Sequence, residues 1–226
     1  MSLGLIPKII SFYDKLPEVE VIWVVGSSDD GTSEYLKKHQ DNVIETQFNS
    51  RGARQNLGIR RAKSDLILLN HPRSLMEQGA VEMLLQNFQD NPMSWGGFTH
   101  AFIDNSHYLL QFTSFYSNRI RFDRNGIVYL DHCIFFNKKL LQEEVEYVPE
   151  VDIFEDTLLS EKLKKFEKPI RLEKMSYTSP VRFERNGVWR QAIMNQVLKL
   201  GYSMSISHKT MNKIYEKGLG LNSNYK

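Results

Sequence analysis

The sequence predicts an α/β fold with a mostly parallel central sheet flanked by helices, on three observations. Short apolar runs alternate with amphipathic stretches: 18–25 (EVEVIWVV), Val43–Thr46 and Leu66–Leu69 are separated by helical spacing around Leu36 and by a helix opening at Arg51. Each run stops at a polar or glycine-bearing loop, as buried strands do. Three further runs read as strands, the aromatic Trp95–Phe102, then 127–136 and 170–175.

Taken in order, 5–16 reads as a short helix ended by Pro17, and the strand 18–25 is bounded at Gly26. The loop 26–32 (GSSDDGT) leads into a helix for which Asp30 and Thr32 are good capping types. After the Arg51 helix and the strand Leu66–Leu69 comes a polar cluster, Asn70 to Arg73. The stretch 75–88 then spaces Met76, Ala80, Leu84 and Phe88 four apart, as an amphipathic helix does. Residues 107–122 have helical spacing, 159–166 form a helical stripe behind Glu155 and Asp156, and 187–200 and 207–217 read as closing helices. A tail from about residue 218 reads as frayed. No repeat, low-complexity tract or linker divides the chain, so 1–226 is read as a single domain.

Bulk composition narrows the function classes. With 41% hydrophobic and 25% charged residues the chain can build a core, and a formal charge of +2 gives no global reason to expect nucleic acid. One cysteine, Cys133, excludes a disulfide framework and fits a reducing cytoplasm. No apolar stretch approaches spanning length, so a cytoplasmic location is expected.

Candidate site residues gather where ligands bind in open α/β sheets, beyond the carboxyl ends of strands. His71 and Arg73 follow the Leu66–Leu69 strand, and Arg51 and Arg54 stand at a helix start, suited to a phosphate or to a solvated face. Asp131 interrupts an apolar run (YLDHCIFF), which a carboxylate tolerates when paired or when lining a site. Glu155 and Asp156 at a helix start suit either capping or a general base. Arg182, Arg185 and Arg190 around Trp189 read as surface charge or as a phosphate clamp. The histidines lack metal-ligand spacing, and there is no P-loop, GxGxxG or Ser-His-Asp order.

Five motifs in register resemble family 2 glycosyltransferases of the GT-A fold, above all the bacterial group called selenodomain-associated transferase 2. EVIWVVGSSDDGT is similar to the family's strand and DGGSTDGT loop, and SRGARQNLGIRRAKSDLILLNHPR to its GRARQMNAGA helix, strand and HAD end. YLDHCIFF, FEDTLLSEKLKK and SPVRFERNGVWR resemble its YGDQ, MEDVEFSRRLRR and SARRWERRGVWR segments, so the likeness spans roughly residues 18–217. It implies a nucleotide-sugar donor, an acceptor hydroxyl, inverting displacement, and a divalent Mg2+ or Mn2+ on a D-x-D-like element. Carried over, Asp156 is the base with Glu155 beside it, both kept ionised by the helix start. Asp30, Arg51 and Arg54 lie toward the donor, Asp131 toward the acceptor, and Arg182 toward the diphosphate.

The sequence departs from the family at three places. Val25 replaces the aspartate that meets the nucleobase, the family's first strand is missing before Ile6, and the HAD element reads His71-Pro72-Arg73. A cation at the metal-ligand position repels the ion it should hold. Two readings follow: a transferase in which Arg73 itself neutralises the leaving diphosphate, or a non-catalytic nucleotide-, glycan- or partner-binding module. The aromatic stretch 109–122 suits a peripheral membrane or homodimer contact as well as a core.

Overall fold

The computed structural model describes residues 4–27, 30–48, 50–103 and 107–217. Helix α1 (Ile6–Tyr13) takes its proline in the first turn, where no backbone N–H is needed, and buries Ile6, Ile9, Ile10 and Tyr13, one face at helical spacing. Strand β1 (Trp23–Gly26) and β2 (Val43–Thr46) pair in parallel around α2 (Thr32–His39), the Asp30 carboxylate accepting the Thr32 N–H at 2.9 Å. Helix α3 (Arg51–Arg61) starts at Ser50, whose hydroxyl accepts the Ala53 N–H.

The second sheet has five strands in the order β3 (Leu66–Leu69), β6 (Ile134–Asn137), β5 (Trp95–Phe102), β7 (Ile170–Thr178), β4 (Ser74–Met76). It is mixed rather than mostly parallel. β5 and β7 pair in parallel, while β6 runs against β3 and β5, and β4 against β7. Alternation of strand and helix suggests a parallel sheet, but α5 (Tyr108–Phe115) runs on through a π-helical stretch, Tyr116–Arg124, which returns the chain to enter β6 from the opposite end. Strands β3, β5 and β7 therefore share one direction, and their carboxyl ends meet the start of β6 on one side.

Three expected elements are shorter. The run 18–25 is strand only from Trp23, the run 127–136 only from Ile134, and 75–88 divides into the end of β4 and helix α4 (Ala80–Asp90). The expected tail lies outside the described residues. Helices α6 (Glu155–Leu163), α7 (Val181–Asn186), α8 (Val188–Ser203) and α9 (His208–Lys217) complete the described residues.

Strand alternation builds a core on both faces of the second sheet. Ile134 and Phe136 of β6 join Trp95, Phe122, Leu159 and Leu163 on the α6 face, while Phe135 joins Phe98, Ala80, Leu84 and Ile9 on the α1–α4 face. Among the described residues no strand precedes α1, and a groove of about 430 Å3 separates Val21–Val24 from β3.

Helix α3 is locked to the segment before α6 by two short contacts. A side chain on Gly52 would meet the Pro149 carbonyl at 2.5 Å, so only glycine permits the approach. One turn on, the fully buried Asn56 amide donates to the Val148 carbonyl and accepts its N–H, both at 2.8 Å, in the manner of a strand partner. Asn56→Ala leaves both groups of Val148 unpaired and should cost about 2–4 kcal/mol, read as a lower urea midpoint at unchanged slope.

Candidate functional site

A cavity of about 570 Å3 lies beyond the carboxyl ends of β3, β5 and β7, walled on its far side by the α6 start and by α8. Seven of the expected residues line it: Arg51, Arg54, His71, Arg73, Asp131, Asp156 and Arg182. Glu155 does not reach the surface: it is 1% exposed and forms an ion pair with the Arg51 guanidinium. Asp30 is not among the lining residues and serves the start of α2.

Each wall has a local cause. Gly26 ends β1 without a side chain, and one there would meet the Arg54 guanidinium at 2.9 Å; Arg54 also donates to the Phe48 carbonyl at 2.9 Å. The 71–73 turn is held by the Arg73 N–H donating to His71 Nδ1 at 3.2 Å and by the Ser179 N–H donating to the Arg73 carbonyl at 2.9 Å, which brings Arg73 beside the strand end that carries Arg182. Phe154 has a left-handed backbone (φ 68°), an uncommon state for a bulky residue, and it turns the chain abruptly into α6. Ser160 on α6 then grips both backbone groups of Val128, at 3.0 and 3.1 Å, and Asp156 accepts the Leu130 N–H at 3.1 Å. The segment carrying Asp131 is thus tied to the helix carrying Asp156.

Electrostatics separate the two aspartates. Burial pushes the Asp156 carboxyl up, Glu155 adds to this, and Arg51 with two backbone N–H donors opposes it, leaving the group at about 6. The helix start therefore does not keep Asp156 at an ordinary carboxylate value, because desolvation and a like charge outweigh it. Burial acts on Asp131 in the same sense, but His71, His100, Arg73 and Arg182 reverse it and hold that carboxyl below its usual range. Burial also drives His71 down to about 3, with Arg73, Arg51 and Arg182 assisting, so it is neutral. Accepting from Arg73 at Nδ1, it carries its proton on Nε2. Burial works against the charge on Arg51, yet Glu155, Asp156 and Asp131 together hold its pKa above the ordinary arginine value.

Several lining residues carried no recognisable sequence signal. His100 is buried within β5, and neither ring nitrogen has a hydrogen-bond partner among the described residues. Gln191, Asn195 and Lys199 come from α8, which read only as a closing helix. The Lys199 ammonium stands 4.5 Å over the Tyr116 ring, and burial, then Arg121, lowers it to about 8.

Among the described residues no three His, Cys, Asp or Glu groups cluster as a metal cage. The 71–73 turn offers Arg73, and Asp131 is already faced by Arg73 and Arg182.

This architecture recurs in solved glycosyltransferases. The chain is similar to TarS of S. aureus residues 1–349 in complex with UDP-GlcNAc, with a TM-score of 0.60 at 16% identity, over 77% of this chain and 54% of that one. It is similar to TarS 1–349 alone over 99% of this chain and 73% of that one, at 14% identity and a TM-score of 0.59. The mannosyltransferase PcManGT from Pyrobaculum calidifontis in complex with GDP-Man and Mn2+ gives 0.62 at 13% identity, over 86% of this chain and 58% of that one. The chain thus spans about half the length of the first of these, and the fold is GT-A. No curated protein matches it in sequence. The sequence model of glycosyl transferase family 2 matches residues 6–144, and the chain belongs to that family.

The Arg51–Glu155 pair should be structural as well as local. Arg51→Met strands a buried carboxylate and should cost about 2–3 kcal/mol, less than a fully buried pair because Arg51 keeps 39% of its side chain exposed. Adding Glu155→Gln should recover most of that loss in chemical denaturation.

Proposed function

We propose that the protein is a glycosyltransferase moving a sugar from a nucleotide-sugar donor to an acceptor hydroxyl, with inversion at the anomeric carbon and Asp156 as base. The observation that carries this reading is the convergence of one raised-pKa acid and four arginines on a single cavity of about 570 Å3, within the size range of ligand sites. The donor class draws support from the nucleotide sugars named for the similar structures. In motif pattern the chain resembles the selenodomain-associated transferase 2 group, which we take as its place within the family.

In this mechanism Asp156 accepts the acceptor's hydroxyl proton as the oxygen forms a bond to the anomeric carbon. The bond from that carbon to the diphosphate oxygen breaks on the opposite face, and its electron pair leaves with the nucleoside diphosphate. Arg73 and Arg182, with Arg51 and Arg54 beyond them, meet the developing charge. His100, whose ring nitrogens lack partners, and His71, with its Nε2 proton, suit sugar hydroxyls. PcManGT is in complex with Mn2+ as well as GDP-Man; in this chain Arg73 takes the place of a cation.

Asp156→Asn should lower transfer by about 10²-fold or more while leaving the donor Kd nearly unchanged. Full activity in that variant would refute the assignment. Because the base must be ionised, kcat should rise with pH through about 6. Glu155→Gln removes a charge that raises Asp156, so the limb should move to lower pH. A thermal-shift screen of UDP, GDP, CMP and dTDP sugars, each with and without Mn2+, tests the donor: a ligand at a hundred times its Kd stabilises by about 2.7 kcal/mol. A shift that requires Mn2+ would contradict the role given to Arg73. Binding of a donor with neither transfer nor hydrolysis would favour a binding module.

A further inference from the structure

Helices α5 and α8 lie side by side and form one wall of the cavity. The Tyr108 and Trp189 rings are 6.0 Å apart near their starts, and the Tyr116–Lys199 contact joins them about two turns later, so the two run in the same direction. Their inner faces are buried or line the cavity through Thr113, Gln191 and Asn195. Their outer faces carry Tyr108, Phe112 and Phe115 on one helix and Trp189, Ile193 and Leu200 on the other, every one more than half exposed. These positions recur at three- and four-residue spacing, so they form two adjoining apolar stripes rather than scattered exposed residues.

Charge indicates what covers them. Outside the cavity lining, residues 107–124 and 181–215 hold seven Lys or Arg against two Asp or Glu, a formal charge of +5, whereas the whole chain carries only +2 and the remainder is therefore −3. Arg119, Arg124, Arg185 and Arg190 are exposed around the stripes. Aromatic and aliphatic side chains ringed by cations suit the headgroup region of an anionic bilayer. A second copy is disfavoured, because a two-fold contact would set this basic surface against itself. Among the described residues no helix is long and apolar enough to cross a membrane, which leaves an in-plane seat for this face.

We infer that the outer face of α5 and α8 docks the protein on an anionic lipid bilayer. It sets the candidate cavity about one helix diameter, roughly 10 Å, from the lipid headgroups.

Co-sedimentation of the full chain with phosphatidylcholine vesicles, with and without about one-third phosphatidylglycerol, tests this. The expected result is binding to the anionic vesicles alone, weakened by high salt, with a blue shift of tryptophan emission as the exposed Trp189 enters the headgroups. Phe112→Ser with Ile193→Ser should lower that binding by about tenfold or more at an unchanged melting temperature. Arg119→Glu with Arg190→Glu should do the same without touching the apolar stripes, which keeps the test valid if the first variant misfolds. Absence of binding to anionic vesicles at low salt, or equal binding to neutral ones, overturns the inference. So does a dimer in light scattering that the serine variant dissociates while neither protein binds vesicles.

Discussion

A buried carboxylate at the start of one helix, met by a guanidinium at the start of another, fixes the floor of this cavity. Glu155 and Arg51 occupy the first turns of α6 and α3, and at 1% exposure the Glu155 charge has no solvent to relieve it. Two helix N-termini, each with a partial positive charge, are thereby aimed at one place, and the first-turn acids of α6 suit that field. The left-handed Phe154 immediately precedes Glu155, and its ring lies tilted against Tyr202 at 5.0 Å. Asp156 inherits its character from this arrangement: the charge that makes Glu155 a partner for Arg51 raises the acid beside it.

Sequence pattern located elements whose signal is local and missed those whose cause is remote. Val43–Thr46, Leu66–Leu69 and Trp95–Phe102 are strands over the runs expected, because each is rich in apolar, aromatic or β-branched residues. β4 was invisible: Ser74 and the first two residues of a helical pattern become an edge strand only because β7 supplies the partner groups. Residues 127–133 look like strand, yet Ser160 and Asp156 take backbone groups of Val128 and Leu130 that a sheet would otherwise use. Strand direction was equally hidden, since nothing in the alternation reveals that a π-helical return brings β6 in reversed.

The site divides along the same line. Arg51, Arg54, His71, Arg73, Asp131, Asp156 and Arg182 stood out because charge or a polar break interrupts apolar periodicity at an element's end, and all seven meet in one cavity. His100 gave no such interruption, being one polar residue within a strand, and only its buried, unpartnered ring nitrogens mark it. Lys199, Gln191 and Asn195 sit on a helix with apolar residues on opposite faces, one packing inward through Met194 and Leu198 and one exposed through Ile193 and Leu200. A one-dimensional period cannot distinguish those faces.

That two-sided helix bears on how the cavity is held together. A surface helix ordinarily turns one apolar face inward and leaves the other polar; α8 instead has apolar groups outside and a polar strip facing the cavity. Gln191 accepts from Asn186 at 2.7 Å and donates to Asn195 at 2.8 Å, and Lys199 rests on Tyr116, so the strip is ordered by its own contacts. The Lys199 ammonium thus holds α8 against the π-helical extension of α5, while Trp189 and Tyr108 hold the other end. Anything seated on the outer stripes bears on the same two contacts. Because Lys199 sits at about 8, deprotonation in mild alkali would weaken one of them while leaving the aromatic contact intact. The wall would then loosen at its Lys199 end, beside Asn195 and Leu198, rather than where Trp189 meets Tyr108.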